Sequence, residues 1–278
     1  MMIKNNIAIL FYVLLFFCII LLQLKSTGPA GAAMDSAIGQ APPAEMVLIK
    51  GGIFTMGSDI DEIEKIALQF HSESLEWYMD ETPAHIVQLE DFHIDKHETT
   101  VSQYRIYIEA TGKPAPKFMD DEKFGKANHP IVGVTWLEAS DYCQWTSKRL
   151  PTEQEWEKAA RGTDRRMYPW GNEADPKRAN TRGKGDNQRY TSTVDGFSEG
   201  KSPYGVLNMA GNVWEWTQDW YLPYPGNETP NDMFGKTLKV IRGGSWKANM
   251  DLARSAVRGK AMPDQRQYYI GFRCVKQP

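Results

Sequence analysis

Between Gly162 and Asn208 the chain is rich in Gly, Asn, Asp, Arg and Pro and carries no helical period. A stretch of that length without regular structure is uncommon inside a compact domain, and where it occurs it is usually functional or stapled by a metal. The surrounding chain must therefore fold around an irregular segment. Nine tryptophans suit that task, because large aromatic side chains pin loops that backbone ladders do not hold. Composition is otherwise ordinary for a globular domain, 41% hydrophobic and 24% charged, with a net charge of −3. No basic stripe with interleaved aromatics is present, so nucleic acid is set aside as a partner.

Local signals on either side of the loop are clearer. Met46 to Ile49, Phe54 to Gly57, Ile86 to Leu89 and Phe92 to Asp95 read as short strands, the first ended by Gly51 and Gly52. Thr100 with Gln103, Thr135 with Glu138, and Thr152 with Glu155 are three capping boxes, each starting a helix. Gly112 and Gly162 stand where glycines would end the first and third helices.

The N-terminus reads as a targeting segment. Lys4 precedes the unbroken apolar run Ile7 to Leu22, and Ala30 to Ala33 offers a small-residue cleavage site. The run is longer than a usual signal core and short for a spanning helix, so residues 1–25 are expected to be a signal peptide or a membrane anchor. Residues 26–44, rich in Ser, Gly, Ala and Pro, read as a flexible linker, and residues 45–278 as the working domain. Export places the domain on the periplasmic or extracytoplasmic side, where disulfides persist. Cys143 and Cys274 are the two cysteines outside the apolar run. They read either as a disulfide or as two buried free thiols, Cys143 on the inward face of a helix with Trp136 and Ala139, Cys274 in a last core strand.

Metal chemistry has a few candidates. His93 and His97, with Glu98, look like a ligand cluster, but the alternation around Phe92 and Ile94 makes a strand, on which positions i and i+4 lie roughly 13 Å apart. His71, His85 and His129 are scattered singly. Calcium has the better set. Asn208 and Glu215 offer side-chain oxygens, and the glycine-bearing turn between them aims carbonyls from Gly211 and Val213 at the same point, an all-oxygen shell that suits a hard cation.

Ordered landmarks carry a resemblance. They include Gly52 to Ser58, Asp80 to His85, Phe92 to Lys96, Pro130 to Trp136, Arg149 to Glu157 and Pro169 to Gly171, followed by Gly211 to Trp216, Arg242 to Trp246 and Gly271 to Arg273. Taken together, the chain after residue 45 resembles the formylglycine-generating enzyme (sulfatase-modifying factor) family. The resemblance implies a single α+β domain with little regular secondary structure, related to the C-type-lectin-like fold. It also implies a disulfide between the matching cysteines, here Cys143 and Cys274. The set Asn208, Gly211, Val213 and Glu215 matches one family calcium site, and a second would start at Asn180 and Thr181 with Asp186 as the nearest acidic partner.

Family enzymes oxidise a client cysteine with a copper-binding cysteine pair that follows the Arg-Gly-Gly-Ser motif. Here Ala248 holds the first of those positions and the second falls near Ala253, so copper is not expected. The resemblance places a client-peptide groove near Ser245, Trp246, Trp214, Arg254 and Arg258. Arg242, Arg254 and Arg258 read otherwise as structural partners of Asp251, Asp264 and turn carbonyls. The expected function is an exported or membrane-anchored accessory subunit of an extracytoplasmic protein or complex. The alternatives are a cysteine-independent maturation enzyme, like the family's periplasmic pyoverdine-maturation and nitrite-reductase-accessory members, and last a formylglycine-generating oxidase.

Overall fold

A computed structural model describes residues 44–183 and 185–278. The apolar run Ile7 to Leu22 and the linker up to residue 43 lie outside the described residues. Among the described residues no helix is long and apolar enough to cross a membrane.

Strands β1 (Met46–Ile49), β2 (Gly52–Met56), β3 (His85–Leu89) and β4 (Phe92–Asp95) form two antiparallel pairs in the first part of the domain. β1 pairs β4 with Met46 opposite Asp95, and β2 pairs β3 with Gly52 opposite Leu89. Between them lies α1 (Ile60–Gln69), a helix that the Ser/Thr capping boxes do not announce. Its start signal is an Asp version of the box: Glu62 reaches back to the Asp59 backbone N–H at 3.0 Å, and Ile63, Ile66 and Ala67 form the buried face.

Three further helices start at the expected boxes: α2 (Val101–Thr111), α3 (Trp136–Trp145) and α4 (Glu153–Arg161). In α2, Gln103 N donates to Thr100 Oγ1 at 3.2 Å, and Gln103 Oε1 accepts from Thr100 N at 2.9 Å. Two donors that a helix start leaves unpaired are thereby satisfied. Gly112 ends α2 in the left-handed conformation. Among its described residues the stretch from Gly162 to Asn208 is irregular as expected, with one 3-10 turn at Ser198–Gly200.

The second half builds a four-stranded sheet from β5 (Trp214–Trp220), β6 (Lys239–Arg242), β7 (Gly259–Ala261) and β8 (Ile270–Gly271), in the order β7-β6-β5-β8. β5 and β8 run parallel and the other pairs antiparallel. A final strand, β9 (Val275–Lys276), joins β4. The C-terminal chain is therefore not one continuous core strand. Ile270–Gly271 belongs to one sheet and Val275–Lys276 to another, and Cys274 lies in the crossing between them. In that crossing Arg273 turns inward, fully buried, and meets Glu215.

Cys143 and Cys274 form a disulfide across a sequence separation of 131 residues, which ties α3 to the end of the chain. Around it pack Tyr104, Tyr142 and Phe272, the last two with ring centroids 5.3 Å apart. A second core under α4 is centred on Trp156, Ile94 and Met209. Helix α4 itself buries nearly every one of its residues, including Glu153, Glu155, Glu157, Lys158 and Arg161.

Candidate functional site

The segment 208–215 turns sharply before β5. Asn208, Gly211 and Asn212 all adopt left-handed φ values, of 55°, 80° and 60°. Asn and Gly are the residue types that tolerate this conformation. At Gly211 a side chain is excluded twice over, since a Cβ would lie 2.3 Å from Asn180 O. The close approach is held by Asn212 N, which donates to Asn180 O at 2.8 Å.

The turn leaves backbone oxygens without partners. Among the described residues the carbonyls of Asn208, Gly211 and Val213 accept no hydrogen bond, whereas Asn212 O accepts from Trp246 N at 3.0 Å. Oxygens left unpaired in this way suit a hard cation. Glu215 fits less well than its sequence position implies. Both its oxygens are taken, by Arg273 Nε and Nη2 at 2.7 Å each and by Trp156 Nε1 at 2.8 Å. One lone pair remains, but its charge is already neutralised.

The unneutralised carboxylate of this region is Glu98. It is 1% exposed and accepts from Asn208 Nδ2 at 2.9 Å and Asn212 Nδ2 at 2.7 Å. Burial pushes its carboxyl up, Arg273 pulls against that, and Glu215 adds to it. In the sequence Glu98 stands beside His93 and His97 as a possible ligand cluster. The structure separates them: His93 lies on β4, and Glu98 turns into the asparagine network. Among the described residues no cluster of three or more His, Cys, Asp or Glu is arranged to hold a metal.

The second calcium candidate shares this network. Asn180 Nδ2 donates to Asn212 Oδ1 at 3.1 Å and to Tyr190 O at 2.8 Å, which leaves Asn180 Oδ1 buried without a partner. An orphaned amide oxygen there fits a cation. Asp186 is close by, but it accepts from Thr181 N at 2.8 Å and Gln188 N at 2.9 Å, as a turn residue does.

Ala248, at the first catalytic-thiol position that the resemblance implies, and Ala253, near the second, are both buried. Ala248 is 7% exposed and Ala253 is fully buried, packed with Ala179 and Ala210. Ala248 O accepts from Arg182 N at 2.8 Å, so the irregular segment is anchored against this turn.

The five residues expected to line one groove do not come together as one. Arg254 and Arg258 are 1% and 5% exposed, and their guanidinium groups are committed. Arg254 binds Glu81 with both terminal nitrogens, at 2.9 and 2.7 Å. Arg258 binds Glu153 at 2.8 and 3.0 Å, and also the carbonyls of Asp80 and Leu222. Nor do Asp251 and Asp264 supply their salt bridges. Arg254 takes only the Asp251 carbonyl, while the Asp251 carboxylate accepts from Tyr78 OH. A buried guanidinium needs a buried carboxylate, and that requirement outweighs sequence proximity. Ser245 is 1% exposed and its Oγ accepts from Lys247 N at 3.3 Å, as a turn residue. Trp214 and Trp246 are half-buried, in different aromatic clusters.

Beneath Arg258 lies Asp80, which accepts from Tyr221 OH. Burial pushes its carboxyl up to about 6 from 3.8, and the neighbouring Glu81 adds to that. An acid with a raised folded pKa keeps a proton that the unfolded chain releases. Stability should therefore fall as pH rises from about 4 to about 6 through this group. Asp80→Asn should remove that slope and stabilise the domain at pH 7 by on the order of 1–3 kcal/mol. Urea midpoints across this pH range check it, and an unaltered slope in the variant would count against it.

Three comparisons place the chain among known proteins. The family described as "Sulfatase-modifying factor enzyme 1-like domain" matches residues 33–278, starting inside the stretch read as linker. A serine/threonine-protein kinase, pkn1, of Chlamydia pneumoniae is 37% identical over 84% of this chain, which spans only 38% of that relative's length. The formylglycine-generating enzyme of Bos taurus is 30% identical over 84% of this chain and 75% of its own. Among solved structures, PvdO from Pseudomonas aeruginosa superposes with a TM-score of 0.68 at 27% identity, covering 84% of this chain and 95% of that one.

Proposed function

This chain belongs to the sulfatase-modifying factor family, and from that premise we propose that it is a binding or accessory domain of an extracytoplasmic protein or complex, without the family's copper–thiol oxidase chemistry. The observation that carries the reading is the pair of buried alanines, Ala248 and Ala253, with both domain cysteines joined to each other. Copper(I) is held by soft thiolate or thioether ligands, and the domain keeps no free thiol to supply a pair. The apolar run Ile7 to Leu22 and the disulfide support an extracytoplasmic setting, with the N-terminal segment as signal or membrane anchor. In a Cu(I) competition assay the wild-type domain should not withdraw copper from a chromogenic chelator, and Ala248→Cys/Ala253→Cys should begin to. Tight binding by wild type would sink the reading.

Calcium is proposed as the staple of the irregular segment, held at the free carbonyls of Gly211, Val213 and Asn208 with the one remaining lone pair of Glu215, and at Asn180 with Thr181 and Asp186. The Asn208 carbonyl stands in place of the expected side-chain oxygen, since the Asn208 amide binds Glu98 and Val194. A ligand present at ~100 times its Kd stabilises by about 2.7 kcal/mol. Chelation should then lower the Tm by roughly 5–10 °C for a domain of this size. An unchanged Tm together with no bound calcium would remove calcium from the account.

A second reading, a cysteine-independent maturation enzyme, is supported by the likeness to PvdO over most of both chains. Purification of the full chain from native membranes in mild detergent, with mass spectrometry, decides between the two. A stoichiometric partner retained at high salt is the expected result. Recovery as a lone, processed, soluble protein would overturn it in favour of the maturation enzyme.

A further inference from the structure

Segments 122–129 and 188–197 enclose a cavity of about 490 Å³, open to solvent on one side. Three cations line it, Lys123, Lys126 and Arg189, against a single carboxylate, Glu122. Lys123 Nζ and the Arg189 guanidinium lie 5.4 and 5.7 Å from the centroid of one ring, that of Tyr190. Cations gathered around one cavity repel each other, and an anion bound in it would relieve that repulsion.

The charge here is not part of a generally basic surface. The chain carries a net charge of −3, and several exposed cations elsewhere are paired, Lys50 with Asp91, Arg105 with Asp120 and Lys113 with Asp141, whereas single lysines such as Lys236 stand unpaired among the described residues and apart from this cluster. Among the described residues Lys123, Lys126 and Arg189 have no carboxylate oxygen within 4.0 Å.

The floor is polar and fixed. His129, Thr191 and Ser192 are at most 9% exposed, and His129 Nδ1 lies 3.0 Å from Thr191 Oγ1. Burial, and then Lys126, hold the imidazole below its usual pKa, so the floor is neutral beneath a cationic rim. The wall hangs from the asparagine network, through Asn180 Nδ2 donating to Tyr190 O and Ser192 N donating to Asn212 Oδ1. A rim on so rigid a base is preorganised, which lowers the ordering cost of binding.

Beyond the cavity the same Tyr190 continues into an aromatic shelf. Its ring meets Trp246 at 5.5 Å between centroids, and Trp246 meets Tyr268 at 5.9 Å. Lys247 Nζ lies 4.8 Å from the Tyr268 centroid. A single small anion would occupy only part of the cavity and leave the shelf unused. A polypeptide with a carboxylate in the cavity and apolar groups on the shelf uses both.

We propose that this cavity is an anion-binding subsite for an acidic segment of a polypeptide partner, with its carboxylates on Lys123, Lys126 and Arg189 and its flanking residues on Trp246 and Tyr268. This rests on the binding-domain reading above and names the chemistry of the partner.

The test uses the full chain in mild detergent with a fluorescent oligoglutamate peptide, read by anisotropy. Lys126→Glu/Arg189→Glu alters two exposed side chains, and Lys236→Glu is a charge control outside the cavity. The double variant should weaken binding by about tenfold or more, with the control unchanged. The His129 imidazole resonances should move on addition of peptide to the wild type. Equal binding by the double variant would overturn the proposal. So would binding of inorganic phosphate or phosphatidylglycerol vesicles, lost in the double variant, with no binding of the peptide. Retention of the native partner by the double variant sinks this subsite while leaving the accessory reading intact. Loss of any native partner from wild type that still binds oligoglutamate does the reverse.

Discussion

Glu153→Ala is expected to cost the domain about 3–5 kcal/mol, a large share of the stability of a typical domain. Glu153 is 5% exposed and accepts from Arg258 at 2.8 and 3.0 Å, from Arg242 Nη1 at 3.1 Å and from Tyr224 OH at 3.2 Å. Burial opposes its ionisation, but Arg258 and then Arg242 outweigh burial and hold its pKa below the usual carboxylate range. Without it, Arg258 keeps two carbonyl partners and the nearby charge of Asp80 but no carboxylate hydrogen bond, and breaking a buried ion pair from one side is strongly destabilising. Arg242 is better protected because Glu157 remains, at 2.5 Å. The pH dependence has a definite sign. A depressed folded pKa contributes stability above the unfolded pKa, and that stability is lost as pH falls through the folded value. Denaturant midpoints measure both effects. A loss below about 1 kcal/mol would show that Glu153 is not the keystone of this cluster.

Cys143→Ser should lower the Tm by on the order of 10 °C, and so should reduction of the wild type. The disulfide closes a separation of 131 residues, for which the chain-entropy relation gives nearly 5 kcal/mol as an upper figure. It also holds the C-terminal crossing in register, where Cys274 N donates to Asp95 Oδ2 at 3.1 Å. A reduced wild type and the serine variant should melt together. If neither melts below the oxidised wild type, packing of Tyr142 and Phe272 alone secures this junction.

Much of this architecture is written in short-range sequence. The boxes at Thr100, Thr135 and Thr152 specify helix starts because their hydrogen bonds join residues three apart, whatever the rest of the chain does. The left-handed turn at 208–212 is legible for the same reason, since Asn and Gly are the residues that accept it. The Asp59 start of α1 is equally local, and it is missed only when Ser and Thr alone are read as the capping residue. The replacement of thiols at Ala248 and near Ala253 is a matter of residue identity and needs no structure.

Other features have no local signal. The arginines after the last long loop stand near Asp251 and Asp264 in the sequence, yet Arg254 pairs with Glu81, 173 residues away, and Arg258 with Glu153, 105 residues away. α4 carries Glu153, Glu155, Glu157, Lys158 and Arg161, and folding buries all five charges. Glu215 looks free to bind a cation until Arg273 is brought against it from 58 positions away. The physical reason is the range of the forces involved. Caps and turn conformations are decided within a few covalent bonds, so the sequence determined them along with the family, the possible disulfide and the lost thiols. A buried charge takes whichever opposite charge the packed core places beside it, so its partner, and with it the division between structural arginines and free cations, was decided only by the tertiary structure.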